Sequence, residues 1–521
     1  MPSSPTGKNP LLLPINHVIS HLTFRGYVRC FSHLSSFFLV NHSGDTCEKS
    51  SDQKCTDLKR DPDLDLLLGK ICVGRSEDEV YQFLMQDPGC NATKITHQLI
   101  NKLLNRFTDD WRSALGVFRW VESHWAYKPL PEAYDKVVDI LGKMKQMEKM
   151  LSFVEEMRRD RLVSLNTIAK VMRRFAGAGQ WKDAILIFDE LEKFGLKKNT
   201  ESMNLLLDTL CKAKKVEQAR DIFLKLKSHM PPNEHTFNIF IHGWCNINRV
   251  EEAHWTVQEM KGDGCRPSVI SYSTIIQFYC HQYNFVRVYE LLDDMKAQNC
   301  IPNVVTYTTI MHSLTKSNAF EESLKMAEKT KAVGCELDTL YFNVLLHTLG
   351  RADRVDEAIY NFKVEMPGRG IVPNVSTYNT MIALLCHHEQ EEVALEFLGD
   401  MENSPYCKPD LQTYIPLLKS CFKAGKKDSC LNKLLHDMSN KHHLCFDLST
   451  YALLIHGLCK ANKAEDAYNL FLKMVAQDIT PRYLTCRLLL EALRQNDMYV
   501  AVDRVEDFMK KMKSSRISTV F

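Results

Sequence analysis

Val304-Val305-Thr306-Tyr307-Thr308-Thr309-Ile310-Met311-His312-Ser313-Leu314-Thr315-Lys316 opens a segment that runs to Asp338. Ile310, Met311 and Leu314 recur at helical spacing. Ser317-Asn318 breaks the pattern, and a second helix follows from Glu321 to Lys331 with Leu324 and Ala327 on one face. Gly334 ends it, in the C-terminal place that glycine favours. The segment therefore predicts two antiparallel helices, and one such hairpin cannot bury its apolar face alone.

The same pattern recurs on both sides. The aromatics Phe237, Tyr272, Tyr307, Phe342, Tyr378, Tyr414 and Tyr451 are spaced by 35 to 37 residues. Cys265, Cys300 and Cys335 keep a spacing of 35, and Cys211, Cys245 and Cys280 follow at 34 and 35. Pro267, Pro302, Pro373, Pro409 and Pro481 close second helices, where proline stops the helix and turns the chain. Acidic pairs such as Glu251-Glu252 and Asp356-Glu357 open them, which suits the helix dipole. Several residue types sharing one period predict stacked hairpins, an all-α solenoid. Unit starts fall at 131, 165, 200, 234, 269, 304, 339, 375, 411 and 448, ten units closing at 482. Residues 92–130 read as a degenerate N-terminal helical cap and 483–521 as a partial repeat and C-terminal cap, with 51–91 as a linker.

Composition narrows the function classes. The 521 residues carry 66 Lys+Arg against 64 Asp+Glu, a net charge of +2, so bulk charge gives no nucleic-acid footprint. The 18 cysteines lack C-x-x-C pairs and read as free thiols packed between helices. No apolar run reaches the roughly 20 residues that span a bilayer. The first acid is Asp45, preceded by Lys8, Arg25, Arg29 and many serines, so residues 1–50 read as a disordered organellar transit peptide. His387-His388-Glu389 has the H-x-E form of zinc deaminases but no P-C-x-x-C follows, and the chain carries no P-loop, G-x-G-x-x-G or G-x-S-x-G. No catalytic residue, cofactor or metal is expected.

Asn374-Val375-Ser376-Thr377-Tyr378-Asn379-Thr380-Met381-Ile382, Leu458-Cys459-Lys460-Ala461 and Asp466-Ala467-Tyr468-Asn469-Leu470-Phe471 resemble the pentatricopeptide repeat family. The resemblance covers about 131–482, and units near 35 residues are similar to its P-type subclass. It implies a right-handed superhelical solenoid that binds single-stranded organellar RNA, one unit per base. Family habit points to the mitochondrion, with the chloroplast as alternative. The implied partners are RNA and other RNA-processing or splicing factors, with a monomeric chain and no membrane.

The resemblance also assigns residues. The fifth and last residue of each unit choose the base. Asp accepts from the N–H of uracil or guanine, while Asn or Ser donates to the ring nitrogen of cytosine or adenine. Asn204 with Asn233 implies a pyrimidine, Asn238 with Ser268 C, Ser273 with Asn303 A, Thr308 with Asp338 G, Asn343 with Asn374 a pyrimidine, and Asn379 with Asp410 U. The implied core site is 5′-Y-C-A-G-Y-U-3′. Asp135/Ser164, Ala169/Asn199, Ile415/Asp447 and Ala452/Arg482 depart from the code. The second residue sandwiches bases where it is apolar, at Ile270, Val305 and Leu340, and not at Glu201, His235 or Ser376. Lys143, Lys212, Lys316, Arg351, Lys423 and Lys460 share the thirteenth place, a row that could meet phosphates. The leading expectation is sequence-specific RNA binding that supports processing, splicing or transcript stability by occupancy. A protein-binding scaffold without RNA, or a specificity subunit recruiting an enzyme in trans, are the alternatives.

Overall fold

A computed structural model describes residues 62–517 apart from 124–128, 425–427 and 478. The transit peptide expected over 1–50 lies outside the described residues. Among the described residues there is no β-strand, and no helix is long and apolar enough to cross a membrane. They fall in two compact units: residues up to Leu103 with 115–123, and 104–114 with 129 onward.

The first unit corrects one expectation. Residues 51–91, read as a linker, carry helices Pro62–Ile71, Glu77–Gln86 and Pro88–Ala92. Short amphipathic stripes account for them: Leu67, Ile71, Val80 and Leu84 are fully buried. Ser76 caps the second helix by accepting from Glu79 N, and Asp87 caps the third by accepting from Gly89 and Cys90 N.

The second unit is a stack of helical hairpins. First helices run Pro131–Lys143, Leu165–Gly177, Thr200–Lys212, Glu234–Asn246, Val269–His281, Val304–Lys316, Thr339–Arg351, Val375–His387, Leu411–Ala424, Leu448–Lys460 and Tyr483–Gln495. The stretch read as a partial repeat thus has both helices, Tyr483–Gln495 and Tyr499–Ile517, because Cys486, Leu489, Leu493 and Val505 all find burial. Among the described residues, the turn inside the hairpins repeats one backbone device. Lys145, Lys214, Asn248, Tyr283, Asn318, Asp353, Glu389, Asn462 and Asp497, each the fifteenth residue of its unit, adopt positive φ between 55° and 64°. That left-handed residue ends the first helix and reverses the chain.

The periodic aromatics hold successive hairpins together. Phe223 on a second helix meets Phe237 at 6.3 Å and Phe240 at 5.3 Å, and Phe362 meets Tyr378 at 5.1 Å. Each such ring stabilises by roughly 1.5–3 kcal/mol through burial. Two of the units longer than 35 residues carry a local insertion in the second helix. The 36-residue unit opened by Thr339 carries a π turn at Asn361–Glu365 in its second helix, and the 37-residue unit opened by Leu411 carries one at Asp437–Lys441.

The twelfth-place cysteines sit at these packed joints. Burial pushes the thiols of Cys245, Cys280 and Cys386 up to about 12 and that of Cys459 to about 11. They are protonated at neutral pH and poor nucleophiles.

Candidate nucleic-acid interface

The last residue of each unit is the N-cap of the next first helix, which fixes where its side chain can point. Asn199, Asn233, Asn303, Asp338, Asn374 and Asp447 all hold extended backbone and accept from the N–H three residues on. Asn and Asp are preferred there because their oxygen satisfies an orphan helix donor. Each last-place base-reading candidate is thus pinned at a helix start.

Two candidate pairs meet directly. Asn204 Nδ2 donates to Asn233 Oδ1 at 3.2 Å, and Asn379 Nδ2 donates to Asp410 Oδ1 at 3.1 Å. Two more are joined through the third residue of the following unit. Ser271 Oγ donates to Asn238 Oδ1 at 2.7 Å and lies 3.5 Å from Ser268 Oγ. Thr306 Oγ1 lies 2.7 Å from Ser273 Oγ and donates to Asn303 Oδ1 at 2.9 Å. The remaining pairs, Thr308/Asp338 and Asn343/Asn374, share no hydrogen bond. The Thr308 hydroxyl and Asn343 Oδ1 are buried without a partner. Asn204, Thr308 and Asn343 are 4%, 2% and 3% exposed and lie in the seam between first helices, while Asn238, Ser273 and Asn379 are half-buried.

The outer units differ. Asp135 accepts from Thr167 Oγ1 at 2.6 Å and from Asn166 Nδ2 at 2.8 Å. The second bond places the second residue of one unit beside the fifth residue of the unit before it. The apolar second residues Ile270 and Val305 are 37% and 39% exposed, and Leu340 is half-buried. At 100° per residue, places 2, 9 and 13 of one helix fall within about 40° of each other, so the basic residues share that stripe about 16 Å farther along.

The basic row divides by partner. Lys212 pairs with Asp208 at 2.7 Å, Lys423 with Glu389 at 2.7 Å, and Lys143 with Asp109 at 2.6 Å. Arg351 donates to Asn318 Oδ1 at 2.7 Å and stacks 5.5 Å from the Phe320 ring. Lys316 and Lys460 are exposed at their helix ends with no carboxylate in reach among the described residues. The ninth place of the stripe carries His242, His312, His347 and His456, a row the sequence reading missed although His312 and His347 stand 35 apart. Burial first, then neighbouring cations, lowers His312 to about 3 and His347 to about 4.

The H-x-E triplet is structural. His388 lies 2.8 Å from the Gly350 carbonyl and 3.0 Å from Asp353, and Glu389 is the left-handed turn residue paired with Lys423. Among the described residues no group of three or more His, Cys, Asp or Glu side chains could hold a metal ion.

Known proteins match this chain along most of the stack. The PPR repeat family model matches residues 198–246, 232–281, 267–316, 337–387 and 373–423, and PPR repeat models match 132–162, 305–335 and 442–475. A mitochondrial pentatricopeptide repeat-containing protein of Arabidopsis thaliana is 56% identical over 448 residues, which is 85% of this chain and 88% of that protein. A second mitochondrial member from the same plant is 38% identical over 171 residues, 32% of this chain and 30% of its own. The crystal structure of the pentatricopeptide repeat protein PPR10 in complex with an 18-nt psaJ RNA element aligns at 18% identity with a TM-score of 0.46, covering 86% of this chain and 74% of that one. The repeat matches and the relative sharing 56% of its residues across 85% of the chain give one answer: the chain belongs to the pentatricopeptide repeat family, as a mitochondrial member.

Proposed function

We propose that the hairpins of residues 131–482 form a P-type array that binds single-stranded mitochondrial RNA, reads a core of 5′-Y-C-A-G-Y-U-3′, and acts as a monomer by occupancy in RNA processing, intron splicing or transcript stability. The observation that carries the reading is the meeting of fifth and last residues at one helix N-terminus, Asn204 with Asn233 and Asn379 with Asp410. Two polar side chains held together at a repeated interval offer one donor–acceptor pattern per unit, which is what reading successive base edges requires.

Exposed Ile270 and Val305 offer apolar surface to base faces, and Lys316 and Lys460 offer free ammonium groups to phosphates.

Binding of the purified full chain to three probes tests the reading: an RNA containing UCAGUU, the same RNA with the central A-G exchanged, and its DNA equivalent. Tight binding to the first with a loss of ~1–3 kcal/mol on exchange is expected, by analogy with base-edge readout in duplexes. Equal binding to all three would remove the base assignment. No binding to any would put a protein-binding solenoid in its place.

A further inference from the structure

The base-reading candidates leave one recurring group unexplained. The third residue of each unit is Ser or Thr at 167, 202, 236, 271, 306, 377, 413, 450 and 485, and all are buried. Capping explains part of this. Ser202 Oγ accepts from Asn199 N at 2.9 Å, and Thr236 Oγ1 accepts from Asn233 N at 3.1 Å, the reciprocal arm of a capping box. A second contact reaches backward across the seam. Thr236 Oγ1 donates to Asn204 Oδ1 at 2.8 Å, Ser271 Oγ to Asn238 Oδ1 at 2.7 Å, and Thr413 Oγ1 to Asn379 Oδ1 at 2.6 Å. In each case the hydroxyl of one unit meets the amide oxygen of the unit before it.

We infer that the third-place hydroxyl is a specificity-determining positioning residue for the base read by the preceding unit, an inference that rests on the RNA reading above. A side-chain amide is nearly symmetric in shape, and a half-turn about its last torsion exchanges donor for acceptor. The hydroxyl breaks that symmetry by giving its proton to Oδ1, so a ligand meets Nδ2, which at Asn204 and Asn379 spends one of its two N–H groups on the last-place residue and keeps the other. A presented N–H matches the acceptor N3 of cytosine and opposes the N3–H of uracil. Asn238 is the clearest case. Its last-place partner is Ser268, which carries no amide, and its other hydrogen bond, to Glu234 at 3.4 Å, is marginal. Ser271 is therefore the main anchor of that amide.

Two units lack the device. Tyr341 stands in the third place after Thr308, and its hydroxyl turns away to the Ala327 carbonyl at 3.1 Å. Thr377 keeps the capping contact to Asn374 Oδ1 at 3.0 Å, as Thr236 and Thr413 do to their own caps, but makes no bond back across the seam, and Asn343 Oδ1 has no partner. Asn343 is accordingly the least oriented of the fifth-place asparagines, and its unit the least able to separate C from U.

The test measures binding of the full chain to RNAs with C or U as the second base of the core. Ser271→Ala should reduce the C-over-U ratio by on the order of tenfold, the scale of one base-edge contact. Ser271→Thr should restore the ratio. Ser202→Ala is the matched control, because it removes the same capping arm while the preceding unit carries Ala169 and has no amide to orient. Circular dichroism melts of all variants identify any that fail to fold. An unchanged ratio in Ser271→Ala, or an equal loss in Ser202→Ala, overturns the inference while the RNA reading stands. A wild-type chain with no preference at the second base overturns the inference together with the C assigned to that base, and a chain that binds none of the RNAs overturns the RNA reading itself.

Discussion

A β-carbon placed on Gly350 would lie 2.4 Å from Cδ1 of Leu384, two first helices meeting at one shared volume. Gly350 is the twelfth residue of its unit and Leu384 the tenth of the next. The same two places meet at Cys211 and Gly243, where a β-carbon on the glycine would lie 2.9 Å from Sγ, and at Phe422 and Gly457, at 2.4 Å from Cε2. Where one side is large the other is small. Gly350→Val should overfill the joint and lower stability by roughly 1–3 kcal/mol in a urea melt. In a Leu384→Ala background much of that cost should vanish. Equal costs in both backgrounds would show that the two residues do not share the space.

Asp338 accepts from Tyr341 N at 2.7 Å as the cap of its helix, and Asn serves that role as well as Asp. Asp338→Asn should therefore leave stability within a few tenths of a kcal/mol while exchanging a pure acceptor for a group that can donate. The preference at the fourth base should move from G toward A. Titrations with both RNAs check it, and an unmoved preference would remove Asp338 from the reading pair.

Salt dependence separates the basic residues. Each free ammonium group that meets a phosphate contributes a slope of ~0.7 in log K against log salt on single strands. Lys316→Ala and Lys460→Ala should each flatten the slope by about that much. Lys423→Ala should flatten it less, because Glu389 at 2.7 Å already neutralises that ammonium. Identical slopes for all three variants would mean the row does not face RNA.

Acid should weaken the stack through its buried histidines. His347 is held at about 4 and His312 at about 3, against an ordinary value of 6.5. Between pH 6.5 and 4 the unfolded chain takes up protons that the folded chain refuses, so stability rises with pH across that window and falls as it is acidified. His347→Gln removes the proton-binding difference. The variant should recover on the order of 1–2 kcal/mol near pH 4.5 relative to its own penalty at pH 7.5. Parallel stability–pH curves for wild type and variant would refute the assignment.

Much of the fold was legible because its period is written in residues that pack. Tyr307 and its counterparts recur because each ring fills the same joint, and the second-helix prolines recur because each chain must turn there. The helices between residues 62 and 92 were missed although Ser76 with Glu79 and Asp87-Pro88 carry N-terminal signals, since ten-residue stripes give little periodicity to count. At the interface the fifth and last places could be assigned only by resemblance. The third-place Ser/Thr was visible as a recurrence, but a hydroxyl that reaches 33 residues back, as Ser271 does to Asn238, has no signature along the chain.

The sequence by itself determined the hairpin, its interval and the residue types at each place, because helix periodicity, capping and turn chemistry act within about one turn of chain. Only the tertiary structure decided which side chains of neighbouring units touch. Stacking sets whether Thr236 finds Asn204 while Tyr341 misses Thr308, and whether Gly350 faces Leu384. Those contacts depend on distances across a seam between helices, and a distance in space is fixed by packing rather than by spacing along the chain.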